Sequence, residues 1–296
     1  MIVDNSMIVD NSINPILFTF NPEICEINGE QMKKVGVALY NNFQGSIESF
    51  FGFLDSLGVD YVEIGKEWIP PQKEINKIND LLDIYNLNAN LHVSYPYNLA
   101  ETDERKWKRN ILGVLGDLGV CYDLNINNAV LHCGWLQSHD SSKEALNEGY
   151  ERFAEAYNMI SDFSQDFGVE IGLENQCSEG LNHYIFQDQT DAQKIREFTD
   201  DKVSFVLDVG HLGRLGGSLS KIIDVVGDNL IGIHVHDFDD FGRDHLPLGT
   251  GKLDLNALLR FVEDKDIFIT LENRSVPHIK YSILHSSLAG ICHPVH

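Results

Sequence analysis

From Lys34 onward, short apolar runs alternate with stretches whose apolar residues recur at helical spacing. Val35–Tyr40 (VGVALY) is the first run and reads as a strand. Ile47, Phe50, Phe51, Leu54 and Leu57 then fall on one helical face, with Gly58 as the stop. Tyr61–Gly65 (YVEIG) reads as the next strand and Gln72–Leu87 as a helix. The alternation continues with strands predicted at Ala89–Ser94, Ala129–Gly134, Glu170–Asn175, Val203–Val209, Ile231–Asp237 and Phe268–Asn273. Helices centred on Trp107–Leu118, Lys143–Phe167, Asp191–Phe198, Leu219–Val226 and Leu255–Val262 separate them, and a last helix is predicted over His278–Ala289.

Unbroken βα alternation implies a parallel sheet, because each crossover must be right-handed and helix-covered. The number of units matches a closed (β/α)₈ barrel, an α/β fold. An open, doubly wound sheet would carry a glycine-rich phosphate loop after its first strand, and GVALYNNFQG lacks G-x-G-x-x-G. The expectation is one barrel domain over residues 34–296 behind an N-terminal extension of residues 1–33. The extension repeats MIVDNS at Met1–Ser6 and Met7–Ser12, a period too short for a solenoid.

Composition narrows the class. Hydrophobic residues make up 43% of the 296, enough for a sizeable core, and no apolar run approaches the roughly 18 residues that span a bilayer. Five scattered cysteines without a C-x-x-C argue against a disulfide framework or a thiolate zinc site and suit a reducing compartment, so the expected location is the cytoplasm. The formal net charge of -23 repels phosphate backbones, which weighs against nucleic acid as the main partner. Oligomeric state, a homo-oligomer included, stays open.

Acids and histidines gather where the strands end. The third strand offers His92, the fourth His132, the fifth Glu174, the sixth Asp208 with His211 just beyond. The seventh offers His234, His236 and Asp237, with Arg243 and His245 in the following loop, and the eighth offers Glu272. C-terminal strand ends converge on one mouth of a barrel, where barrel active sites lie. Imidazoles and carboxylates gathered without thiols suit a divalent ion: Zn²⁺, Mn²⁺, Co²⁺, Fe²⁺ or Mg²⁺. Each residue alone has a plainer reading, a hydrogen-bonded core histidine or a helix cap. The joint pattern does not.

These residues sit in motifs. H-x-S-Y-x-x-N-L-A at His92–Ala100, LHCG at 131–134, LEN at 173–175, LDVGH at 207–211, HVHD at 234–237, HLPLGTG at 245–251 and LEN at 271–273 together resemble the xylose isomerase-like TIM-barrel superfamily. It includes sugar and sugar-phosphate isomerases and epimerases, and endonuclease IV. The resemblance implies a metal held by Glu174, Asp208, His234 and Glu272, with the two glutamates also moving protons and His211 touching substrate. It further implies that His92 and His132 join Glu174 in a second metal site of endonuclease IV type, and that His211 and His245 belong to a third. The third site also needs an aspartate where this chain has Arg243, with Asp244 one residue on. His236, Asp237 and Arg243 are expected to bind substrate. The expected substrate is a small sugar, polyol or sugar phosphate, isomerised or epimerised through an enediolate. The alternative is a metal-dependent phosphodiesterase acting on abasic DNA.

Overall fold

Val35–Leu39 (β1) is buried at all five positions, as a strand covered on both faces must be. The computed structural model describes residues 35–39, 45–65, 72–137, 142–177, 182–263 and 265–285. The described strands continue with Tyr61–Ile64 (β2), Asn88–His92 (β3), Asn128–His132 (β4), Trp135–Gln137 (β5), Glu170–Glu174 (β6), Asn182–Tyr184 (β7), Ser204–Asp208 (β8), Leu230–Val235 (β9) and Phe268–Leu271 (β10). Eight of them close in the hydrogen-bonded order β1-β10-β9-β8-β6-β4-β3-β2, every pair parallel. This is the expected TIM barrel.

The helices between the strands are Ile47–Leu57 (α1), Gln72–Tyr85 (α2), Glu104–Asp123 (α3), Lys143–Gln165 (α4), Gln189–Phe198 (α5), Val209–Arg214 (α6), Leu219–Val226 (α7), Leu255–Val262 (α8) and Val276–His285 (α9). Their starts follow from the sequence. Ser46, Asp103, Ser142 and Asp254 each accept a first-turn backbone N–H, and Asp188 and Asp191 form a reciprocal capping box on α5. Gly58 ends α1 at φ 66, a left-handed conformation that glycine takes freely.

Inside the barrel, Tyr61, Val130, Val206 and Phe268 pack as a separate apolar plug. Glycines make room for it. A Cβ on Gly36 would lie 2.3 Å from the Tyr61 ring, and one on Gly232 would lie 2.2 Å from Phe268.

Two local features differ from expectation. The sixth barrel strand stops at Asp208 instead of running through Val209, because the Asp208 carboxylate accepts the His211 N–H at 2.7 Å and starts α6. The antiparallel pair of β5 with β7 has no counterpart in the sequence pattern; strands of three residues are too short to show periodicity. The last helix is present as α9 to His285; residues 286–289 of its expected span, the 1–33 extension and the MIVDNS repeat lie outside the described residues. Among the described residues no helix is long and apolar enough to cross a membrane.

Candidate metal centre and active site

Barrel closure brings six donors together at the strand ends. His92, His132, Glu174 and Asp208 are the last residues of their strands, His234 is next to last in β9, and Glu272 directly follows β10. Glu174 is the hub. Its Oε2 lies 3.0 Å from His92 Nε2 and 2.8 Å from His132 Nε2, while its Oε1 lies 2.8 Å from His234 Nδ1. Glu272 Oε1 stands 3.1 Å from the same His234 nitrogen. On the adjoining side, Asp208 Oδ2 is 3.0 Å from His211 Nδ1 and 3.1 Å from His236 Nε2.

Charge governs the cluster. Burial alone would raise the Glu174 and Asp208 carboxyls, yet His234 and His132 hold the first, and His211 and His236 the second, well below the usual range. Glu272 is likewise drawn down to about 2 by His234 against its burial. Burial opposes charge on His234, but Glu63, Glu174 and Glu272 raise it well above an ordinary imidazole. His92, opposed by burial, is lifted to about 9 by its hydrogen bond to Glu174 and the charges of Glu174 and Glu63. His245 goes the other way: burial and the neighbouring His236 push it down to about 4, so it is neutral. Its Nδ1–H donates to the Glu272 carbonyl at 2.8 Å, leaving Nε2 with a lone pair.

The donor chemistry fits a divalent cation. One ligand atom from each of Glu174, Asp208, His234 and Glu272 lies within 4.8 Å of the others, and His92, His132 and Glu174 meet the same limit. Donors on opposite sides of an ion bound at about 2.0–2.2 Å stand up to roughly 4.4 Å apart, so a small contraction closes the set. Buried carboxylates crowded around one imidazole need positive charge, and the buried His132 Nδ1 has no hydrogen-bond partner.

His92, His132, Glu174, His211, His245 and Glu272 line a cavity of about 380 Å³, with Asp208 and His234 fully buried beside it. The three residues expected on substrate lie elsewhere. His236 donates from Nε2 to Asp208 and accepts the His245 N–H on Nδ1 at 2.9 Å, so both nitrogens are committed. Gly210 lets α6 cross this ring: a Cβ there would lie 2.1 Å from it. Asp237 turns its carboxylate to the backbone N–H groups of Gly249, Gly251 and Leu253 and organises the HLPLGTG loop. Arg243 is exposed and pairs with Asp239 at 2.5 Å, whereas the guanidinium of Arg274 lines the cavity.

Sequence reasoning assigned no role to Glu63, Tyr95 and Tyr184 and reads Cys177 as a packing residue beside the candidate ligands; all four line the same cavity. Glu63 had a signal: an acid in the apolar run YVEI, two residues from Tyr61 and so on the same strand face. In the aromatic wall Tyr95 stood in the H-x-S-Y motif with no role given to it, and Tyr184 had no signal. Tyr95 bonds Tyr184 hydroxyl to hydroxyl at 2.7 Å, and Trp135 stacks behind it, through the unforeseen β5–β7 sheet. Burial raises the Cys177 thiol, which keeps it protonated.

Residues 51–283 match the family described as xylose isomerase-like TIM barrel. The chain belongs to that family. In structure it is similar to a D-tagatose 3-epimerase-like protein, with a TM-score of 0.74 at 23% identity, covering 87% of this chain and 98% of the other. The 3-keto-D-glucoside 4-epimerase of E. coli superposes with a TM-score of 0.71 at 18% identity, over 88% of this chain and 98% of that one. In sequence it is 26% identical over 223 residues to a probable endonuclease 4 of Mycoplasma mycoides subsp. mycoides SC, covering 69% of this chain and 74% of the relative.

Proposed function

We propose that this protein is a divalent-metal-dependent isomerase or epimerase that acts on a small sugar, polyol or sugar phosphate by moving a proton at the carbon beside a carbonyl. The observation that carries this reading is the pair of buried carboxylates, Glu174 and Glu272, meeting at one nitrogen of His234 with Asp208 completing the donor set. These four residues would hold the ion. When bound, it supplies Lewis acidity that polarises the carbonyl and its neighbouring hydroxyl and stabilises enediolate charge.

The protein's own groups do the rest. Glu174 and Glu272 are held ionised in the metal-free protein; one draws the proton from carbon, and the other must first take up a proton from solvent to return it to the opposite face, so each turnover exchanges which carboxyl is protonated. His211, which burial opposes but Asp208 holds charged, is anchored through Nδ1 and has Nε2 left to orient a substrate oxygen. Tyr95 and Tyr184 offer an aromatic surface to the C–H face of a sugar and exclude water from the reacting carbon. The scattered cysteines, of which Cys121, Cys133 and Cys177 are free thiols, support a cytoplasmic location.

A second reading has its own observation. His92 and His132 converge on one oxygen of Glu174, the donor set of a second ion, and clustered ions suit phosphodiester hydrolysis. The net charge of -23 disfavours a DNA substrate. The deciding experiment incubates metal-loaded protein in D₂O with ketoses, aldoses and their phosphates. Deuterium on the reacting carbon, reduced about 10²–10⁴-fold in Glu272→Gln at equal metal occupancy, supports the isomerase. Incision of an abasic duplex that is lost in His132→Ala, with no carbohydrate converted, overturns it in favour of the nuclease.

A further inference from the structure

Glu63 reaches the donor set from the side that no motif marks. It is fully buried on β2, and its Oε2 lies 3.1 Å from His234 Nε2 and 3.2 Å from Thr270 Oγ1. Tyr61, two residues back on the same strand, places its hydroxyl 2.7 Å from that Thr270 oxygen. A carboxylate only accepts hydrogen bonds, so the direction of the chain follows. His234 Nε2–H and the Thr270 hydroxyl both donate to Glu63, and Tyr61 donates to Thr270. The other Glu63 oxygen, Oε1, has no partner, so its carboxylate is held through Oε2. Thr270 is paired with His234 across β10 and β9, which sets the relative heights of the three groups.

We propose that Glu63 is a positioning residue that fixes His234 as the Nε2–H tautomer, so that its Nδ1 lone pair is offered to the divalent cation. This rests on the metal-centre reading above. A fixed tautomer matters because of the two carboxylates that face Nδ1. Glu174 and Glu272 lie 2.8 and 3.1 Å from Nδ1, and either would accept a proton held there. A neutral ring left to choose could place its single hydrogen on that side, where it blocks ligation. A buried carboxylate on Nε2, braced by Thr270 and Tyr61, tips the choice. Glu63 also forms a donor group with His92, His234 and Glu272, so direct ligation is the competing role. That role would displace the hydrogen bond to Nε2.

The test measures Zn²⁺ binding by chelator competition on the full chain and on Glu63→Ala, Glu63→Gln and Thr270→Val, together with ring ¹⁵N NMR of the Zn²⁺-loaded proteins. Loss of a ligand-orienting partner costs about 10–100-fold in metal affinity. Glu63→Ala should lose that much with the number of bound ions unchanged. Glu63→Gln, which keeps an acceptor oxygen, and Thr270→Val, which keeps the carboxylate, should each lose less. The His234 ring should carry its proton on Nε2 in the parent protein. If Glu63→Ala fails to fold, the other two variants decide against the parent: each should bind Zn²⁺ more weakly with the number of bound ions unchanged. Undiminished affinity in the variants, a proton on Nδ1, or the loss of one bound ion in Glu63→Gln with the remaining affinity unchanged would each overturn the positioning role. A parent protein that binds no divalent ion overturns the metal centre itself, which is distinguishable from all three.

Discussion

Asn175 and Asp208 exchange two hydrogen bonds across neighbouring barrel strands: Asn175 Nδ2 donates to the Asp208 carbonyl at 3.0 Å, and the Asp208 N–H donates to Asn175 Oδ1 at 2.9 Å. The side chain thus fastens the end of β6 to the end of β8, at the residue whose carboxylate faces His211 and His236. Asn175→Ala removes both bonds, each worth about 0.5–1.5 kcal/mol, a cost of about 1–3 kcal/mol. Urea unfolding of the metal-free protein should show that loss, and Zn²⁺ affinity should fall with it. An unchanged unfolding midpoint would mean that Asn175 does not fasten the strands.

Glu174 and Asp208 carry the most demanding prediction about the ion. Glu174→Gln and Asp208→Asn keep shape but replace a carboxylate with a neutral amide, a poorer ligand. Elemental analysis of the purified variants should show reduced divalent metal against the parent. Full occupancy in both would remove these residues from the ligand set.

His92 sets a pH window for the metal-free protein. Its folded value of about 9 lies above the ordinary imidazole value, because the Glu174 hydrogen bond and nearby charge outweigh burial. The folded state therefore holds this proton more tightly than the unfolded chain. The resulting stability, up to about 3 kcal/mol, is complete below about pH 6.5 and lost as pH rises through 9. Thermal unfolding in excess chelator should show Tm falling across that interval. A divalent ion competes with the same proton, so metal affinity should rise over the same window. A flat Tm between pH 6.5 and 9 would show that His92 is not held charged.

Gly232 tests the barrel plug. Its missing Cβ is where the Phe268 ring packs, 2.2 Å from the ideal position. Gly232→Ala should destabilise by about 3 kcal/mol through overpacking. Phe268→Leu in the same background should recover part of that, in a double-mutant cycle read by urea unfolding. Simple additivity would mean that the two positions do not share the space.

The barrel was legible because its strands are continuous apolar runs and its helices carry clean apolar faces. The cluster of acids and histidines at the mouth was legible because each interrupts or ends such a run with a polar group that a plain core strand would not tolerate. Glu63 obeyed the same rule and was passed over because YVEI lies outside the recognised motifs. Arg243, Asp237 and His236 mark the other limit. Their residue types suit a substrate site, but the path of the loop between β9 and α8 turns them towards Asp239, the loop backbone and Asp208. The spacing of a loop does not encode its path. The aromatic wall was hidden for a different reason: Tyr95 and Tyr184 meet across 89 residues, a distance at which no local pattern speaks.

That reach in sequence has a consequence for how the protein is made. The bond from His234 to Glu63 spans 171 residues, and the one from Tyr61 to Thr270 spans 209. Glu272 directly follows the eighth barrel strand, so the donor set is incomplete on every nascent polypeptide that has not yet presented that strand. The same long separations make ring closure a slow, late step in folding. Metal capture would then report that the circle has shut, and a chain truncated before β10 would be left with a fringe of unneutralised acids where the mouth should be.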